Sequence, residues 1–540
     1  MKLLNWKSLA LLAIFSLFAN VAWSQVSGTV TDEDGIGLPG VNIIVVGSSS
    51  GTVTDLDGAY TINAPSDATL RFSYLGFVTQ EIAIAGRSTV DVKLGADATA
   101  LQEVVVLGYG TSDPKAVTGA ISSIGTEEVA ALTVTNLGEA LQGRLAGVQV
   151  TAGGAPGVAP LIQVRGIGSI SFGSGPLYVV DGIPGAGGLN QFDTRDIESV
   201  TVLKDASSTA VYGSRASNGV ILIETKKGGG DGIKANLHST VGIQTQTRRF
   251  DVMNTEQYVN YAEALAGMPL ARDLNATVND GSGRTYRQVD TDWQDAIFQD
   301  GFITQNQLSL SGGSDASSFY SSLGYLKQEG VMIGTPYERF NFRINSEHKI
   351  GGSDRLRIGQ TLLAVNDERF REAGLGGRTQ LLQAIQSIPY QPIFDNTNIG
   401  GFSGADQGQD SADPGNPVLA ANLFQNVDRV FKLLGTVYAE YDIIEGLTAR
   451  VMYGANFNNF RGDSRNPIYE STVPSVFNSI GSTRSNTYSP LYNGQLTYNN
   501  VLGDHSINAT VVAEVQETFN RTVSASADQT TNSINVISGG

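Results

Sequence analysis

The chain has 540 residues and a formal net charge of −17, so it repels phosphate backbones and we predict no nucleic-acid partner. It contains no cysteine, which excludes disulfides, a thiol nucleophile and cysteine-ligated zinc. Its 64 glycines and its low charged fraction of 16% are typical of a chain with many turns and extended segments.

The first residues have the pattern of an export signal. Lys2 and Lys7 precede the apolar run 9–18, and the small residues Ala22 and Ser24 follow it. This order is typical of a secretory signal peptide, so we predict that residues 1–24 are removed. The alternative, an N-terminal membrane anchor, requires a longer apolar run.

Residues 25–98 predict a small β-sandwich, because short apolar or alternating runs are separated by turn residues. The dipeptides Asp34-Gly35 and Asp57-Gly58 favour tight turns, since glycine accepts positive φ. The aspartate pairs 32/34 and 55/57 also suggest calcium loops. Neither pair is followed by the bidentate glutamate that ends an EF-hand loop, so we favour turns.

Residues 99–115 predict a linker, yet it contains the stretch LQEVVVLGYG with three successive valines. β-Branched residues favour extended backbone. An extended and unpaired segment can add as a strand to the edge of a partner's sheet. The alternative is that the valines form an edge strand of a neighbouring domain. The predicted partner contacts are Glu103, Val104, Val105 and Val106.

Residues 116–230 predict a compact α+β domain. A helix is expected from the N-cap Asn136 to Gly147, because the leucines at 137, 141 and 145 share one face. One or two helical turns are expected from Asp205 to Gly213. Short buried strands are predicted at 161–165, 177–180, 199–203 and 220–225.

Residues 231–540 begin with a capped helix at 254–267 and continue with long alternating strands. In the hairpin 431–443 and 447–457, one face is apolar and the other carries Lys, Glu, Asp and Arg. Strands of soluble sandwiches usually end after about five or six residues. Longer strands with an apolar face toward lipid and a polar face toward a lumen are typical of outer-membrane barrels. The same alternation recurs at 339–345, 492–498 and 507–515.

The segment DIESVTVLKDASSTAVYGSRASNGVILIETKKG, residues 196–228, resembles the closing signature of the plug domain in TonB-dependent outer-membrane transporters of the SusC/RagA branch. VRGIGSI and PLYVVDGIP fit the same domain. Residues 25–94 resemble the carboxypeptidase regulatory-like sandwich of this branch, and DTDWQDAIF and DPGNPVLAANLF resemble early barrel segments. The signature residues are Arg165, Gly166, Asp181, Gly182, Lys204, Asp205, Tyr212, Gly213, Asn218 and Gly219.

The resemblance implies a mainly β protein with an N-terminal sandwich, an α+β plug at 116–230 and, at 231–540, the first part of a transmembrane antiparallel β-barrel of about 22 strands when complete. It places the TonB box in the linker at 99–115. It also implies import of oligosaccharides or peptides across the outer membrane, with plug displacement driven by periplasmic TonB. The implied partners are TonB, a SusD-like surface lipoprotein, the substrate and outer-membrane lipid.

The length of the chain conflicts with a complete barrel. Residues 231–540 can supply about ten strands, too few to enclose a plug. An open sheet edge in lipid is forbidden. We therefore expect the chain to be the N-terminal portion of such a transporter.

Two other classes of protein remain as alternatives. The first is a secreted β-rich adhesin or glycan-binding protein whose long strands form sandwiches. The second, a polysaccharide-degrading enzyme, requires a carboxylate pair or a base cluster, which we do not find. His238, His348 and His505 are far apart in the sequence, so we also predict no metal site and no cofactor.

Overall fold

In the computed structural model the chain divides into two compact units. One comprises Met1–Val105 and Ser112–Val117, and the other comprises Val106–Thr111 and Thr118–Gly540. The structure describes residues 23–32, 35–46, 50–74, 77–95, 105–107, 110–112, 121–125, 128, 134–169, 173–229, 232–267, 269–351, 354–375, 377–405, 410, 415–472, 474–502 and 505–533.

The first unit is a β-sandwich, as the short strands predict. Its two sheets have the orders β4-β1-β7 and β3-β2-β5-β6. Alternate side chains, including Val26, Ile43 and Phe72, are buried in one core. The strands are β1 Trp23–Thr31, β2 Asn42–Val45, β3 Gly51–Val53, β4 Ala59–Pro65, β5 Thr69–Ser73, β6 Gln80–Ala83 and β7 Val92–Lys93.

The aspartates of the sandwich support turns. Asp55 Oδ1 accepts the N–H groups of Asp57, at 3.0 Å, and Ala59, at 2.8 Å. Asp32 Oδ1 accepts the N–H of Ile36 at 2.8 Å, and Asp34 lies outside the described residues. The observed contacts are those of aspartate side chains that stabilise a turn. Strand β1 begins two residues before the predicted cleavage point, and residues 1–22 are not described.

The α+β domain of the second unit contains a five-stranded sheet of order β10-β15-β16-β13-β14 and a separate β11-β12 pair. Strands β13 and β16 are parallel neighbours, and β15 is antiparallel to β16. The elements are β10 Ile121–Gly125, α1 Leu137–Ala140, β11 Val148–Thr151, β12 Leu161–Val164, β13 Leu177–Val180, β14 Ile183–Pro184, β15 Ile197–Leu203, α2 Ala206–Thr209 and β16 Val220–Thr225.

The predicted helix from Asn136 to Gly147 is wrong in its length. Asn136 does cap it, since its side chain accepts the N–H of Glu139 at 2.9 Å, but α1 ends at Ala140. Gly143 has φ +72°, a left-handed conformation that interrupts a right-handed helix. The leucines at 141 and 145 are buried even so, because the following turns lie on the same core.

A ten-stranded antiparallel sheet follows, with strands in chain order from β17 to β25 and β26 paired to β24. The lengths of its strands agree with the prediction for a barrel, since β22 and β23 each have 20 residues. The strands are β17 Gly232–Gln244, β18 Gly301–Ser314, β19 Ser317–Gln328, β20 Tyr337–Ile350, β21 Leu356–Phe370, β22 Gln425–Ile444, β23 Leu447–Asn466, β24 Asn478–Leu502, β25 His505–Gln516 and β26 Phe519–Gln529.

The connections differ at the two ends of this sheet. At one end the strands are joined by short turns, such as Glu445-Gly446. At the other end the described parts of the long connections hold four helices, α3 Thr255–Ala266, α4 Trp293–Ile297, α5 Gln380–Gln386 and α6 Pro417–Leu423. Helix α3 has the predicted caps, with Asn254 in a capping box and Gly267 in the left-handed conformation. None of the described helices is long and apolar enough to cross a lipid bilayer.

Two segments that resemble early barrel segments are not strands. DTDWQDAIF contains α4, and DPGNPVLAANLF contains α6. Trp293 of α4 and Leu419 of α6 are buried in one apolar cluster within the long connections. The apolar residues of these segments therefore form a core of their own rather than a strand face.

The alternation of the long strands places polar residues on one face and apolar residues on the other. Arg339 and Arg343 of β20 are buried against the α+β domain, whereas Phe340 and Phe342 are exposed. In β22 the same is true of buried Lys432 and exposed Phe431. These apolar side chains are therefore not packed against a second sheet. The sandwich alternative requires such packing.

Candidate functional site

The interface between the α+β domain and the polar face of the long sheet holds a buried ionic cluster around Arg343 of β20. The Nη1 of Arg343 donates to Thr225 Oγ1 at 2.9 Å and lies 3.3 Å from Asp181 Oδ2. Its Nε lies 3.6 Å from Asp196 Oδ2. Arg343 and Asp196 are each only 1% exposed. A buried charge of this kind requires its partner, so the cluster ties the domain to the sheet.

Asp196 is the centre of a second set of contacts with the sheet. Its Oδ1 accepts hydrogen bonds from Gln307 Nε2 at 2.7 Å, Tyr320 Oη at 2.9 Å and Ser322 Oγ at 2.7 Å. Burial raises the pKa of Asp196, an effect that the positive charge of Arg343 opposes. Through these bonds and its ion pair with Arg343, one carboxyl group thus contacts three neighbouring strands, β18, β19 and β20.

Cationic residues of the sheet also bond to backbone carbonyls of the α+β domain. Arg339 donates to the carbonyl of Asn190, and Lys432 donates to the carbonyl of Ala186 and, at 3.0 Å, to Gln191 Oε1. Gln191 in turn donates to Asp367 of β21 at 3.2 Å. Polar contacts therefore hold part of this interface, beside an apolar cluster to which Leu363, Leu434 and Leu491 of the sheet contribute.

A cavity of about 380 Å³ lies between β13 and β16 of the α+β domain and strands β21 to β25 of the sheet. Charged side chains from both sides line it, among them Glu224, Lys227 and Arg450. Arg450 lies over the ring of Tyr438, with its guanidinium carbon 4.3 Å from the ring centroid. Burial raises the pKa of Glu224. The cavity lies along the side of the α+β domain, and its walls are both polar and apolar.

The predicted signature residues are distributed over the α+β domain. Arg165 and Asp205 form an ion pair of 3.4 Å between Nη2 and Oδ1. Lys204, next to this pair, donates to Ser122, and burial lowers the pKa of Lys204. Gly166 follows Arg165, and both have positive φ, of +93° and +59° respectively.

Asp181 and Gly182 form the two-residue turn that joins β13 to β14. Their φ angles are +47° and +85°, as required at both central positions of a type I′ turn. The Asp181 carboxylate also accepts the N–H and the hydroxyl of Thr225. Asp181 is thus held by the domain on one side while it faces Arg343 on the other.

The remaining signature residues support the fold locally. Tyr212 is buried, Gly213 has φ +63° and Asn218 donates to the carbonyl of Gly173 at 2.9 Å. Gly219 has φ +87°, and a Cβ there would lie 3.1 Å from Val164 Cγ1. The structure therefore brings Arg165, Lys204 and Asp205 together but does not gather the whole signature into one ligand site.

Replacement of Gly219 by alanine is expected to destabilise the α+β domain by about 1–3 kcal/mol, because alanine rarely adopts this backbone conformation. Gly125→Ala is the matched control, since its Cβ meets nothing within 4 Å. Hydrogen exchange of the β16 amides measures the effect. Equal exchange in the two variants would contradict the expectation.

The predicted TonB-box contacts lie in the linker. Glu103 and Val104 lie outside the described residues. Val105 and Val106 belong to β8 Val105–Leu107, which pairs with β9 Gly110–Ser112. In this structure these two valines are therefore paired with β9 rather than unpaired, and their contact with TonB stays a prediction.

Sequence reasoning did not identify Arg343, Asp196 or Thr225 as interface residues. The alternation at 339–345 places Arg343 on the polar face, as observed, and Asp196 begins the plug-like signature. The signals in the sequence are an arginine on the polar face of a long alternating strand and an aspartate directly before a short apolar strand. Their pairing depends on contacts across more than a hundred residues of sequence.

Comparisons with known proteins agree with this geometry. Residues 113–220 match the family model described as TonB-dependent Receptor Plug Domain, and residues 26–106 match the CarboxypepD_reg-like domain. The chain is 35% identical to TonB-dependent receptor P3 of Formosa agariphila over 92% of its own length and 48% of that protein. It is 34% identical to TonB-dependent receptor SusC of Bacteroides thetaiotaomicron over 73% of its length and 39% of that protein.

The chain is a homologue of the SusC/RagA-type TonB-dependent receptors. It superposes on a solved structure of the RagAB peptide importer in its open-open state with a TM-score of 0.68 and 27% identity, covering 79% of this chain and 50% of that one. The α+β domain is thus the plug, and the long sheet is part of a β-barrel wall. The chain spans about half the length of the relatives it matches.

Proposed function

We propose that this chain is part of an active importer of oligosaccharides or peptides in the bacterial outer membrane. The observation that carries the proposal is a plug seated on the polar face of a sheet whose other face is apolar and exposed. A secreted adhesin has no need of such an interface. The relatives are receptors and importers rather than enzymes.

The proposed domain division follows the sequence. Residues 1–24 are the signal peptide, 25–98 the sandwich, 99–115 the linker with the TonB box, 116–230 the plug and 231–540 the barrel portion. Matches of the sandwich and plug family models support the second and fourth of these segments. The substrate and a SusD-like surface lipoprotein are proposed as partners from the resemblance to the SusC/RagA branch.

The mechanism follows from the nature of the interface. TonB binds the linker in the periplasm and pulls, and the plug leaves the wall or rearranges. The wall holds the plug partly through hydrogen bonds and ion pairs, and each of these polar contacts that breaks can be replaced by a contact with water. The cavity beside β13 and β16, with its charged lining residues, supports a path on this side of the plug. None of these steps requires a catalytic group.

Cells that lack the gene test this proposal. Uptake of labelled oligosaccharide and peptide mixtures is expected to fall for one of the two classes, and to return when the complete gene is restored. A protonophore should abolish the restored uptake, because the energy comes from the inner membrane. Normal uptake of both classes in the deletion strain would contradict an import function.

For the TonB box we propose that Glu103, Val104, Val105 and Val106 add as a strand to TonB. Within the part of the chain that the structure describes, β8 pairs with β9 alone, so a partner strand can add at its second edge. Backbone hydrogen bonds then supply affinity, and side chains on one face supply selectivity.

Deletion of residues 103–106 from the complete protein is expected to abolish uptake and leave membrane insertion intact. Deletion of 96–99 is the matched control, because it shortens the linker equally. Heat-modifiable gel mobility reports insertion, and labelled substrate reports uptake. Unchanged uptake in the 103–106 variant would refute the assignment.

A further inference from the structure

Three arginines form a transverse line across neighbouring strands on the outer, apolar face of the barrel wall. In the antiparallel register Arg429 of β22 lies opposite Arg461 of β23, and Arg461 lies opposite Arg484 of β24. We call Arg429, Arg461 and Arg484 the arginine row. Their side chains are 41%, 52% and 39% exposed. The row is thus accessible from outside the wall.

The outward orientation of the row follows from the alternation. Phe431 of β22 and Tyr488 of β24 lie on the same face as the row and are exposed. Lys432 of β22, one position away, faces inward and bonds to the plug. The line continues in register through charged residues of β21, β20 and β19, which are Glu368, Glu338 and Lys327.

The arginine row carries more positive charge than its acidic neighbours balance. Asp463 lies 3.4 Å from Arg429, 2.7 Å from Arg461 and 2.9 Å from Arg484, and Glu368 lies 2.7 Å from Arg429. Three cations therefore share two carboxylates, in a chain whose net charge is −17. Like charges directly opposite in a sheet repel each other, and an added anion relieves this repulsion.

The row lies at one boundary of the apolar band. On β22 the exposed apolar residues run from Phe431 to Ile443. At about 3.3 Å per residue and a strand tilt of about 40°, this segment spans about 30 Å along the membrane normal, which is the thickness of a hydrocarbon core. Arg429 lies just beyond that band. The long connections are at the same end, which is the external end in outer-membrane barrels.

We propose that the arginine row binds the phosphate of a lipid headgroup in the outer leaflet. The proposal rests on the outer-membrane location of the proposed function. Guanidinium groups bind phosphate with two parallel hydrogen bonds, and at this depth they meet headgroups rather than acyl chains. The bound lipid then forms part of the surface that surrounds the external connections.

The test measures lipid binding by the complete gene product, purified in detergent, with lipid A and dephosphorylated lipid A as probes. The parent protein is expected to prefer the phosphorylated form. Arg461→Gln with Arg484→Gln should weaken that binding by about 30-fold, because each arginine contributes about 1 kcal/mol. Lys234→Gln with Lys349→Gln removes the same charge at the opposite, short-turn end of the sheet and should leave binding unchanged.

Asp463→Asn provides an independent test, because it removes an acid from the row and should tighten binding. Equal binding of both lipid forms by the parent protein would overturn the proposal, as would equal binding by the row and control variants. If inorganic phosphate at concentrations below the millimolar range displaces lipid A, the row is a free-phosphate site. That result would also overturn the proposal. Uptake is assayed separately, so loss of lipid binding with normal uptake leaves the import function intact.

Discussion

An Arg343→Met variant is expected to hold its plug about 3–5 kcal/mol less tightly than the parent protein. The substitution removes the guanidinium that lies between Asp181 and Asp196, and both carboxyl groups stay at the interface. Hydrogen exchange is expected to rise in β15 and β16, which carry the plug side of the interface. Exchange in the sandwich strands serves as an internal reference.

Arg357→Met is the matched control for this prediction. Arg357 also bonds to two carboxylates, Glu440 and Asp442, but both belong to the barrel wall. The control should leave exchange in the plug unchanged. If the two variants loosen the plug equally, the contacts of Arg343 do not hold it.

The pH dependence of the Arg343→Met variant gives a further readout. Burial raises the pKa of Asp196, and loss of Arg343 removes the charge that opposes this rise. A raised carboxyl pKa destabilises the folded state as pH rises from the unfolded pKa through the folded one, because the unfolded state releases the proton more readily. The loss of stability is therefore expected to be smaller at about pH 5 than at about pH 8.

The second large effect is expected from Val437→Arg. Val437 lies on the exposed apolar face of β22, midway between Phe431 and Ile443. An arginine facing lipid at the bilayer midplane costs about 2–4 kcal/mol, and near the interface about 0–1 kcal/mol. Unfolding by denaturant in lipid vesicles, followed by heat-modifiable gel mobility, measures this loss.

Asn366→Arg is the control at the edge of the band. Asn366 lies opposite Phe431 in the register and two residues from Glu368, so an arginine there reaches the headgroup level. Equal stability of the Val437→Arg and Asn366→Arg variants would indicate that the apolar face meets water. That result would remove the basis for transport and for the arginine row.

The sequence predicts the long strands well because their alternation reflects two different surroundings. The outward positions of β20 and β22 are apolar and the inward ones polar, and each strand carries this information locally. The turn at Asp181-Gly182 is likewise predictable, since few residues accept positive φ at both positions. Strands β13 and β16 have the predicted bounds because each is a short apolar run that ends at polar or turn residues.

Other features depend on tertiary contacts. The α1 helix stops at Ala140 although its leucine spacing continues, because turns can bury the same leucines. The apolar runs of α4 and α6 form a separate core within the connections. The valines of β8 pair locally rather than remaining single.

By itself the sequence determined the class of protein: the plug signature, the sandwich and the two-faced strands all follow from local residue patterns. Only the tertiary structure decided what the polar face holds. Arg343 finds Asp181, Asp196 and Thr225, and Arg429 finds Arg461 and Arg484, through register and packing between distant segments. The physical reason is that periodicity reports which side of a strand is buried, whereas the identity of a partner depends on where other strands come to lie.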